Sequence, residues 1–325
     1  MNTSLNPIEY LPFRPLPGLS SPHMQTILAS FSKTKTIPPS TPLLITLEDG
    51  DQLCCEVSQP SSWKETQKTV IMVHGLGGSH ASNYMVRISF KLYEAGYRVI
   101  RANLRSCGSG QGLARLPYNG GASHDVLSII QNLKKQTPHS PIVLVGFSLG
   151  GNIVLKLAGE LGEAASHLLH QTIAICPPVD LSQAIKSLSH SSNRLYHRYY
   201  LNQLRQQGKR WIGNLSINSL YDFDNLITAP QGGFMNASDY YAKCSSRFYL
   251  SRIQHPCQIL FAADDPFIHY QSALEIPLSA STQIKISPQG GHMGFLSWTG
   301  LKHRYFWLDQ ILLKWIESCP KMLAS

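Results

Sequence analysis

Short apolar runs alternate with longer segments of helical periodicity along most of this 325-residue chain. Runs such as TVIMVHG, YRVIRAN and PIVLVGF have the length of buried strands, whereas NYMVRISFKLYEAG and SHDVLSIIQNLKKQ have the length and polarity of helices. Strands that alternate with crossover helices pair in parallel, and the helices cover both faces of the sheet. The pattern therefore predicts an α/β fold with a mostly parallel central sheet flanked by helices.

The ends and one internal segment depart from this alternation. Residues 1–41 form a proline-rich N-terminal arm, and PLLITLE and QLCCEVSQ then predict an antiparallel hairpin that turns at Asp49, Gly50 and Asp51. Residues from about 180 to 245 are rich in Ser, Asn, Tyr and Arg and contain no apolar strand, so we interpret them as a helical cap insertion. HPCQILFAADD and TQIKISPQGGH predict further strands, and HRYFWLDQILLKWIES predicts a last helix. No linker divides the chain, so residues 1–325 are expected to form a single domain.

Composition excludes several classes of protein. Charged residues make up 14% of the chain, and its formal charge of +9 is scattered without a basic run, which argues against a nucleic-acid partner. Contact with an anionic membrane surface remains an alternative. Seven cysteines without a CxxC pair predict free thiols, and the N-terminus shows no secretory signal, so we expect a cytoplasmic protein.

The residues Gly146 to Gly150, GFSLG, match G-x-S-x-G between a predicted strand and a predicted helix. Such a turn is too sharp for bulky neighbours, which explains a glycine on each side, and it exposes the hydroxyl of Ser148 at the sheet edge. A serine hydroxyl at neutral pH needs a general base to become a nucleophile, and that base needs an acidic partner. The motif predicts Ser148 as a catalytic nucleophile.

The base and acid are expected downstream, with the acid first. His292 lies in PQGGHMG between the last strand and the last helix, where this arrangement places its base. The strand QILFAA ends in Asp264 and Asp265, and the loop pattern G-x-x-D-x-x-V aligns best with Asp265. We predict a triad of Ser148, Asp265 and His292, and Asp264 stays the alternative acid.

Two backbone amides should stabilise the oxyanion that forms during acyl transfer. The N–H of Leu149 follows the nucleophile at a helix N-terminus, and the N–H of Leu76 lies in the glycine-rich sequence HGLGG after a strand. His74 in the same loop is expected to brace the backbone. Cys107, which no strand-to-helix turn surrounds, is expected to have a packing role.

The sequence lacks the motifs of several other kinds of functional site. The chain contains no GxGxxG, no GxxxxGK[ST] and no HExxH, so dinucleotide, P-loop nucleotide and zinc-protease readings are excluded. No cysteine and histidine spacing is typical of a metal site. The proposed chemistry requires neither a metal nor an organic cofactor.

Taken together, the motifs resemble the YheT-like branch of the α/β-hydrolases, which is related to abhydrolase-domain esterases and lipases. The residues that carry the resemblance span the chain: PLPGLSSPHMQTI, HGLGGS, NLRSCGSG, LPYNGG with Asp125, GFSLGGN, FDNLITAPQGGFMNASDYY, FAADDPF and GGHMGF. The resemblance implies a serine hydrolase of esters and carries the triad onto Ser148, Asp265 and His292. Relatives usually have glycine where this chain has Ser106, which leaves the conformation of that loop open. We expect His23 in the PHMQT motif to dock the arm.

The sequence therefore predicts a carboxylic ester hydrolase acting through an acyl-serine intermediate on a short-chain acyl ester or an acylglycerol or other lipid ester. Acyl transfer or thioester cleavage by the same triad, and lipid binding without turnover, are the alternatives. Tyr196, Tyr199, Tyr200 and Trp211 in the cap suggest an apolar pocket, although they could equally form the core of the cap.

Overall fold

A nine-stranded sheet forms the centre of the protein in a computed structural model that describes residues 8–32, 36–298 and 305–318. The strands are β1 (Ile8–Tyr10), β2 (Thr41–Thr46), β3 (Gln52–Ser58), β4 (Thr69–Val73), β5 (Arg98–Ala102), β6 (Ile142–Phe147), β7 (Gln171–Ile175), β8 (Cys257–Ala262) and β9 (Thr282–Ser287). Their order in the sheet is β1-β9-β8-β7-β6-β4-β5-β3-β2. All neighbours are parallel except β2 with β3 and β3 with β5, so the predicted sheet and hairpin are confirmed.

Helices cover both faces of the sheet, and further helices lie in the segment between β7 and β8. They are α1 (Pro22–Phe31), α2 (Asn83–Glu94), α3 (Ser123–Gln136), α4 (Leu149–Leu161), α5 (Ala165–Leu168), α6 (Leu181–Ser189), α7 (Arg194–Gln207), α8 (Lys209–Ile212), α9 (Leu220–Phe223), α10 (Ala229–Gln231), α11 (Ala237–Cys244), α12 (Gln271–Leu274) and α13 (Trp307–Ser318). Successive residues of the buried strands point to opposite faces, so Ile71 and Val73 pack in one apolar cluster and Val70 and Met72 in the other. The central strands β4 and β6 are mainly apolar because both of their faces are covered.

The structure contains elements that the sequence pattern did not predict. β7 is buried along its whole length, but it has only five residues and begins with Gln171 and Thr172. Its run of apolar residues is therefore too short to predict a strand. In the arm, β1 pairs in parallel with β9, and α1 contains the PHMQT motif. Of the last predicted helix, residues 303 and 304 lie outside the described residues, and the described helix begins at Trp307.

Arg105 joins the turn of the β2–β3 hairpin to helix α3. Its guanidinium donates to carboxylates of Asp49, Asp51 and Asp125, at 2.5, 2.9 and 2.7 Å. The next residue, Ser106, adopts φ of 60°, in the left-handed region that favours glycine. The loop therefore keeps a glycine-type backbone conformation although its glycine is replaced.

We propose that residues 180–245 are a cap inserted into one domain. The support is topological, since β7 and β8 are direct neighbours in the sheet although the whole segment separates them in sequence. The segment contains α6 to α11 and a π-helical turn over Asp224–Thr228. It thus leaves the sheet after β7 and returns to it at β8.

Candidate active site

Ser148 lies on a strained turn between β6 and α4. Its φ of 51° and ψ of −119° are unfavourable for a residue with a side chain, at a cost of about 1–3 kcal/mol. The glycines are required by space: a Cβ on Gly146 would lie 2.3 Å from the Gly150 oxygen, and one on Gly150 would lie 2.4 Å from the Val73 oxygen. The turn therefore holds the Ser148 hydroxyl above the carboxyl ends of the strands.

A continuous line of hydrogen bonds leads away from the Ser148 hydroxyl. His292 Nε2 lies 2.9 Å from Ser148 Oγ, and His292 Nδ1 lies 2.7 Å from Asp265 Oδ2. With its proton on Nδ1, the imidazole donates to the carboxylate, and Nε2 is free to accept the serine proton. The structure thus brings together all three residues of the predicted triad.

The two adjacent acids have different partners. Asp265 Oδ1 accepts from the N–H groups of Phe267 and Ile268, which orients its other oxygen toward His292. Asp264 Oδ1 instead accepts from Gly291 N–H at 2.9 Å, and its Oδ2 is buried with no hydrogen-bond partner in the described residues. Burial, together with the neighbouring Asp265 charge, raises the pKa of Asp264. Asp264 therefore holds the histidine loop but does not touch the imidazole.

The glycine-rich loop after β4 leaves one amide free beside Ser148. Gly75 N–H donates to Tyr84 Oη and Gly77 N–H to Tyr118 Oη, both at 2.9 Å. Gly78 N–H donates to the Gly75 carbonyl. The N–H of Leu76 has no acceptor among the described residues, and the same is true of Leu149 N–H at the start of α4. Both predicted oxyanion donors are thus available to a ligand.

His74 braces this loop from below. It is fully buried, its Nε2 accepts from Leu104 N–H, and its Nδ1 must then carry the proton that it donates to the Gly75 carbonyl at 2.8 Å. Burial lowers the pKa of His74 to about 4, so the ring stays neutral at physiological pH. Cys107 is also buried, which raises the pKa of its thiol.

The arm contributes contacts to the site. Thr26 Oγ1 accepts from the backbone N–H of His292 at 2.9 Å. His23 stacks on Tyr196 of α7, and its Nδ1 lies 3.1 Å from the Tyr196 hydroxyl. Thr26 belongs to the same PHMQT motif as His23, but no sequence pattern predicts its contact with His292. The arm therefore joins the cap to the loop that carries the imidazole.

Cys176 lies behind the imidazole and the carboxylate. Its Sγ and the ligand atoms of Asp265 and His292 lie within 4.8 Å of one another, which is a possible metal-binding cluster. Burial raises the pKa of the Cys176 thiol well above its usual range, and the other two side chains already bind each other. The cluster therefore suits proton transfer better than metal ligation, which requires a thiolate.

Two cavities meet at Ser148. One has a volume of about 330 Å³, opens to the surface and is lined by residues of the arm, the Leu76 loop, α2 and α7, together with His292. The other is apolar, has a volume of about 50 Å³, and lies between Leu149, Phe267 and the cap helix α6. Tyr200 lines both cavities and Tyr199 the open one, whereas Trp211 lies in a separate pocket beyond Leu76.

A larger cavity of about 680 Å³ lies at the opposite edge of the sheet, where it is lined by residues that precede β4 to β7. It contains none of the triad residues. Size alone would favour this cavity, but the hydrogen-bonded nucleophile, base and free amides lie at the carboxyl edge. We therefore place the candidate site at that edge, where open parallel sheets bind their ligands.

A mostly parallel sheet with a nucleophile turn after β6 and a histidine after its last strand defines the α/β-hydrolase class. The chain belongs to this family: residues 68–297 match the family described as alpha/beta hydrolase fold. The predicted fold class is thereby confirmed.

Relatives place the chain within one branch of the family. It is 29% identical over 326 residues to YheT of Escherichia coli strain K12, a protein named as a candidate esterase, with 95% of this chain and 93% of YheT covered. It is 26% identical to the monoacylglycerol lipase of Saccharomyces cerevisiae, over 71% of this chain and 55% of the lipase. The predicted YheT-like branch and the predicted enzyme of the esterase and lipase type are confirmed by these comparisons.

Solved structures support the fold. An esterase of Pyrococcus furiosus, Pf2001, superimposes with a TM-score of 0.57 at 16% identity, covering 89% of this chain and 99% of the esterase.

Among the helices in the described ranges, none has both the length and the apolar character needed to cross a lipid bilayer.

Proposed function

We propose that this protein hydrolyses carboxylic esters through an acyl-serine intermediate, with Ser148 as nucleophile, His292 as base and Asp265 as its partner. The observation that carries the proposal is the hydrogen-bonded line from Ser148 Oγ through His292 to Asp265, at 2.9 and 2.7 Å. Such a line lets one proton leave the serine as the hydroxyl oxygen attacks a carbonyl carbon. The free N–H groups of Leu76 and Leu149 support a developing oxyanion.

The reaction would proceed in two steps. His292 takes the Ser148 proton while Oγ bonds to the acyl carbon, and it then returns the proton to the departing alcohol. Water next gives a proton to His292 as its oxygen bonds to the acyl carbon. The bond from that carbon to Ser148 Oγ then breaks, His292 returns the proton to Oγ, and the carboxylic acid leaves. Asp265 stabilises the imidazolium in both steps.

The two cavities support separate binding positions for the acyl group and the alcohol group of the ester. A pocket of about 50 Å³ between α6 and Leu149 suits a short acyl chain, because it is small and apolar. The open cavity of about 330 Å³ suits the alcohol group and admits water. We propose short-chain acyl esters, including short-chain acylglycerols, as the substrate class; the monoacylglycerol lipase among the relatives supports an acylglycerol alcohol.

We also propose that the protein works in the cytoplasm. All six cysteines in the described ranges are free and buried, which suits a reducing compartment.

Replacing the nucleophile tests the proposed activity. Ser148→Ala should lower turnover of p-nitrophenyl butyrate by about a million-fold, to background, as removal of a triad serine does elsewhere. It should also abolish labelling by a fluorophosphonate probe, with an unchanged circular dichroism spectrum. The matched control is Ser238→Ala, an exposed serine on α11, which should retain full activity. Undiminished hydrolysis by Ser148→Ala would refute the assignment.

A further inference from the structure

Helix α1 buries Gln25 and Ala29 and exposes its four large apolar side chains. Gln25 is fully buried; its Nε2 donates to the carbonyls of Leu19 and Leu296 at 2.7 and 2.9 Å, and its Oε1 accepts from Leu296 N–H. Thr26 faces the histidine loop. An ordinary surface helix has the reverse arrangement, with its apolar stripe against the core.

The outward face of α1 is a continuous apolar stripe. Its residues are Met24, Ile27, Leu28 and Phe31, which are 44, 36, 40 and 73% exposed. Their spacing of three, four and seven positions places them on one side of the helix. The helix contains no acidic residue and no Lys or Arg. Apolar surface of this kind marks a site of contact with another apolar phase.

The cap helix α7 extends the stripe on the other side of the cavity mouth. Leu195 and Tyr199, one turn apart, are 77 and 57% exposed. Both α1, through Ala29 and Ser30, and α7, through Tyr199, line the open cavity that contains Ser148. The two helices that carry the exposed apolar residues therefore both border the candidate active site.

Positive charge surrounds the part of the surface that α7 provides. Residues 181–221 contain six Lys or Arg and no Asp or Glu. Arg194 and Arg198, next to Leu195 and Tyr199, are exposed, and neither pairs with a carboxylate in the described part of the chain. A second copy of the chain would bring these uncompensated arginines face to face, whereas an anionic lipid surface would neutralise them.

We propose that α1 and the N-terminal half of α7 form a docking surface for an anionic lipid membrane, with the mouth of the Ser148 cavity facing the lipid. The apolar stripe would enter the boundary between headgroups and acyl chains, and Arg194 and Arg198 would contact anionic headgroups. A substrate that partitions into lipid would then reach Ser148 without crossing water.

Vesicle co-sedimentation tests the proposal with two double variants. The wild type should bind phosphatidylglycerol–phosphatidylcholine vesicles and bind phosphatidylcholine vesicles far more weakly. Leu28→Ser with Phe31→Ser should weaken binding by about tenfold or more. Arg194→Gln with Arg198→Gln should weaken it by about fivefold for each lost charge, an effect that high salt removes. None of these four residues lines the open cavity, so hydrolysis of dissolved p-nitrophenyl acetate should be unchanged.

Matched controls remove similar groups elsewhere. Leu44→Ser with Phe248→Ser removes two exposed apolar side chains away from the cavity, and Lys64→Gln with Lys135→Gln removes two exposed charges. Both should bind vesicles like the wild type. No binding by the wild type, equal loss in the controls, or a dimer in sedimentation that Leu28→Ser with Phe31→Ser dissociates would each overturn the proposal. Vesicle binding does not need turnover, so vesicle binding by a wild-type protein that hydrolyses no ester would refute the proposed function alone.

Discussion

The sheet edge and the cap contribute to the candidate site in different ways. At the sheet edge, the backbone N–H of Ser148 donates to the Ile175 carbonyl, Asp265 accepts two backbone N–H groups, and the N–H of His292 donates to Thr26. These residues follow β6, β8 and β9, whose positions are set by the buried core. The cap contributes side chains that form walls, such as Ala184 and Tyr200, and its exposed surface includes Leu195 and Tyr199.

This difference suggests a division of roles. Groups that must stay within hydrogen-bond distance during a reaction are held by hydrogen bonds in turns and loops that follow buried strands, as electrostatic preorganisation requires. Groups that only limit the size of a substrate need no such support, and they come from the inserted segment. Substitutions at the sheet edge should therefore affect the rate of the reaction, and substitutions in the cap should affect the choice of substrate and the stability.

The adjacent acids provide the strongest test of the sheet edge. Asp265→Asn should lower kcat for p-nitrophenyl butyrate by about ten-thousand-fold, because an amide cannot hold the imidazole in the required tautomer. Asp264→Asn should leave kcat near the wild-type value, because its amide oxygen can still accept from Gly291 N–H. Steady-state kinetics of both variants measures the difference. Equal losses would show that the two acids act as one unit.

A third variant separates positioning from catalysis at the same site. Asp264→Ala removes the acceptor of Gly291 N–H and should lower the free energy of unfolding by about 1–3 kcal/mol. Urea denaturation measures this loss. A loss of activity as large as that of Asp265→Asn, in a folded protein, would assign Asp264 a direct role.

The same division explains what the sequence could predict. The glycines around Ser148 lie within one five-residue motif, so they mark the turn in the sequence, and the position of His292 after the last strand follows from chain order. Thr26 was missed because its contact joins residues 266 positions apart. Helix α1 was missed for a related reason: its buried residues are Gln25 and Ala29, so its apolar periodicity does not point to the core. The walls from α6 and α7 depend on how the cap packs, which no local pattern encodes.

Filling the apolar pocket should change substrate choice without loss of the chemistry. Ala184 on α6 lines the pocket of about 50 Å³, and leucine in its place adds three carbons to that space. Ala184→Leu should favour acetyl over butyryl esters by about 10–200-fold in kcat/KM, the range for small changes in an apolar pocket. Ala242→Leu, the same change at an exposed position of α11, is the control. An unchanged chain-length profile would place the acyl group elsewhere.

The smallest expected effect concerns the stability of the cap. Asp224 accepts from the Tyr241 hydroxyl at 2.8 Å, and burial raises the pKa of Asp224 from 3.8 to about 6, although hydrogen bonds from Tyr241 and Thr228 oppose the rise. Because the folded protein keeps this proton when the unfolded chain has lost it, stability should fall as the pH rises from about 4 to 6. The unfolding free energy of the wild type minus that of Asp224→Asn should decrease over this range in urea denaturation.

A second acid of the same cap should show the opposite slope. Asp239 binds Lys243 at 2.9 Å, and this hydrogen bond lowers the pKa of Asp239 below its usual value. The folded protein loses this proton first, so its contribution is present above the unfolded pKa and is lost as the pH falls. The wild type minus Asp239→Asn should therefore gain stability as the pH rises, by a small amount because the pair is exposed. Both variants should keep wild-type kcat at pH 7.5; a large loss in either would mean that the cap takes part in the chemistry and not only in shaping the pocket.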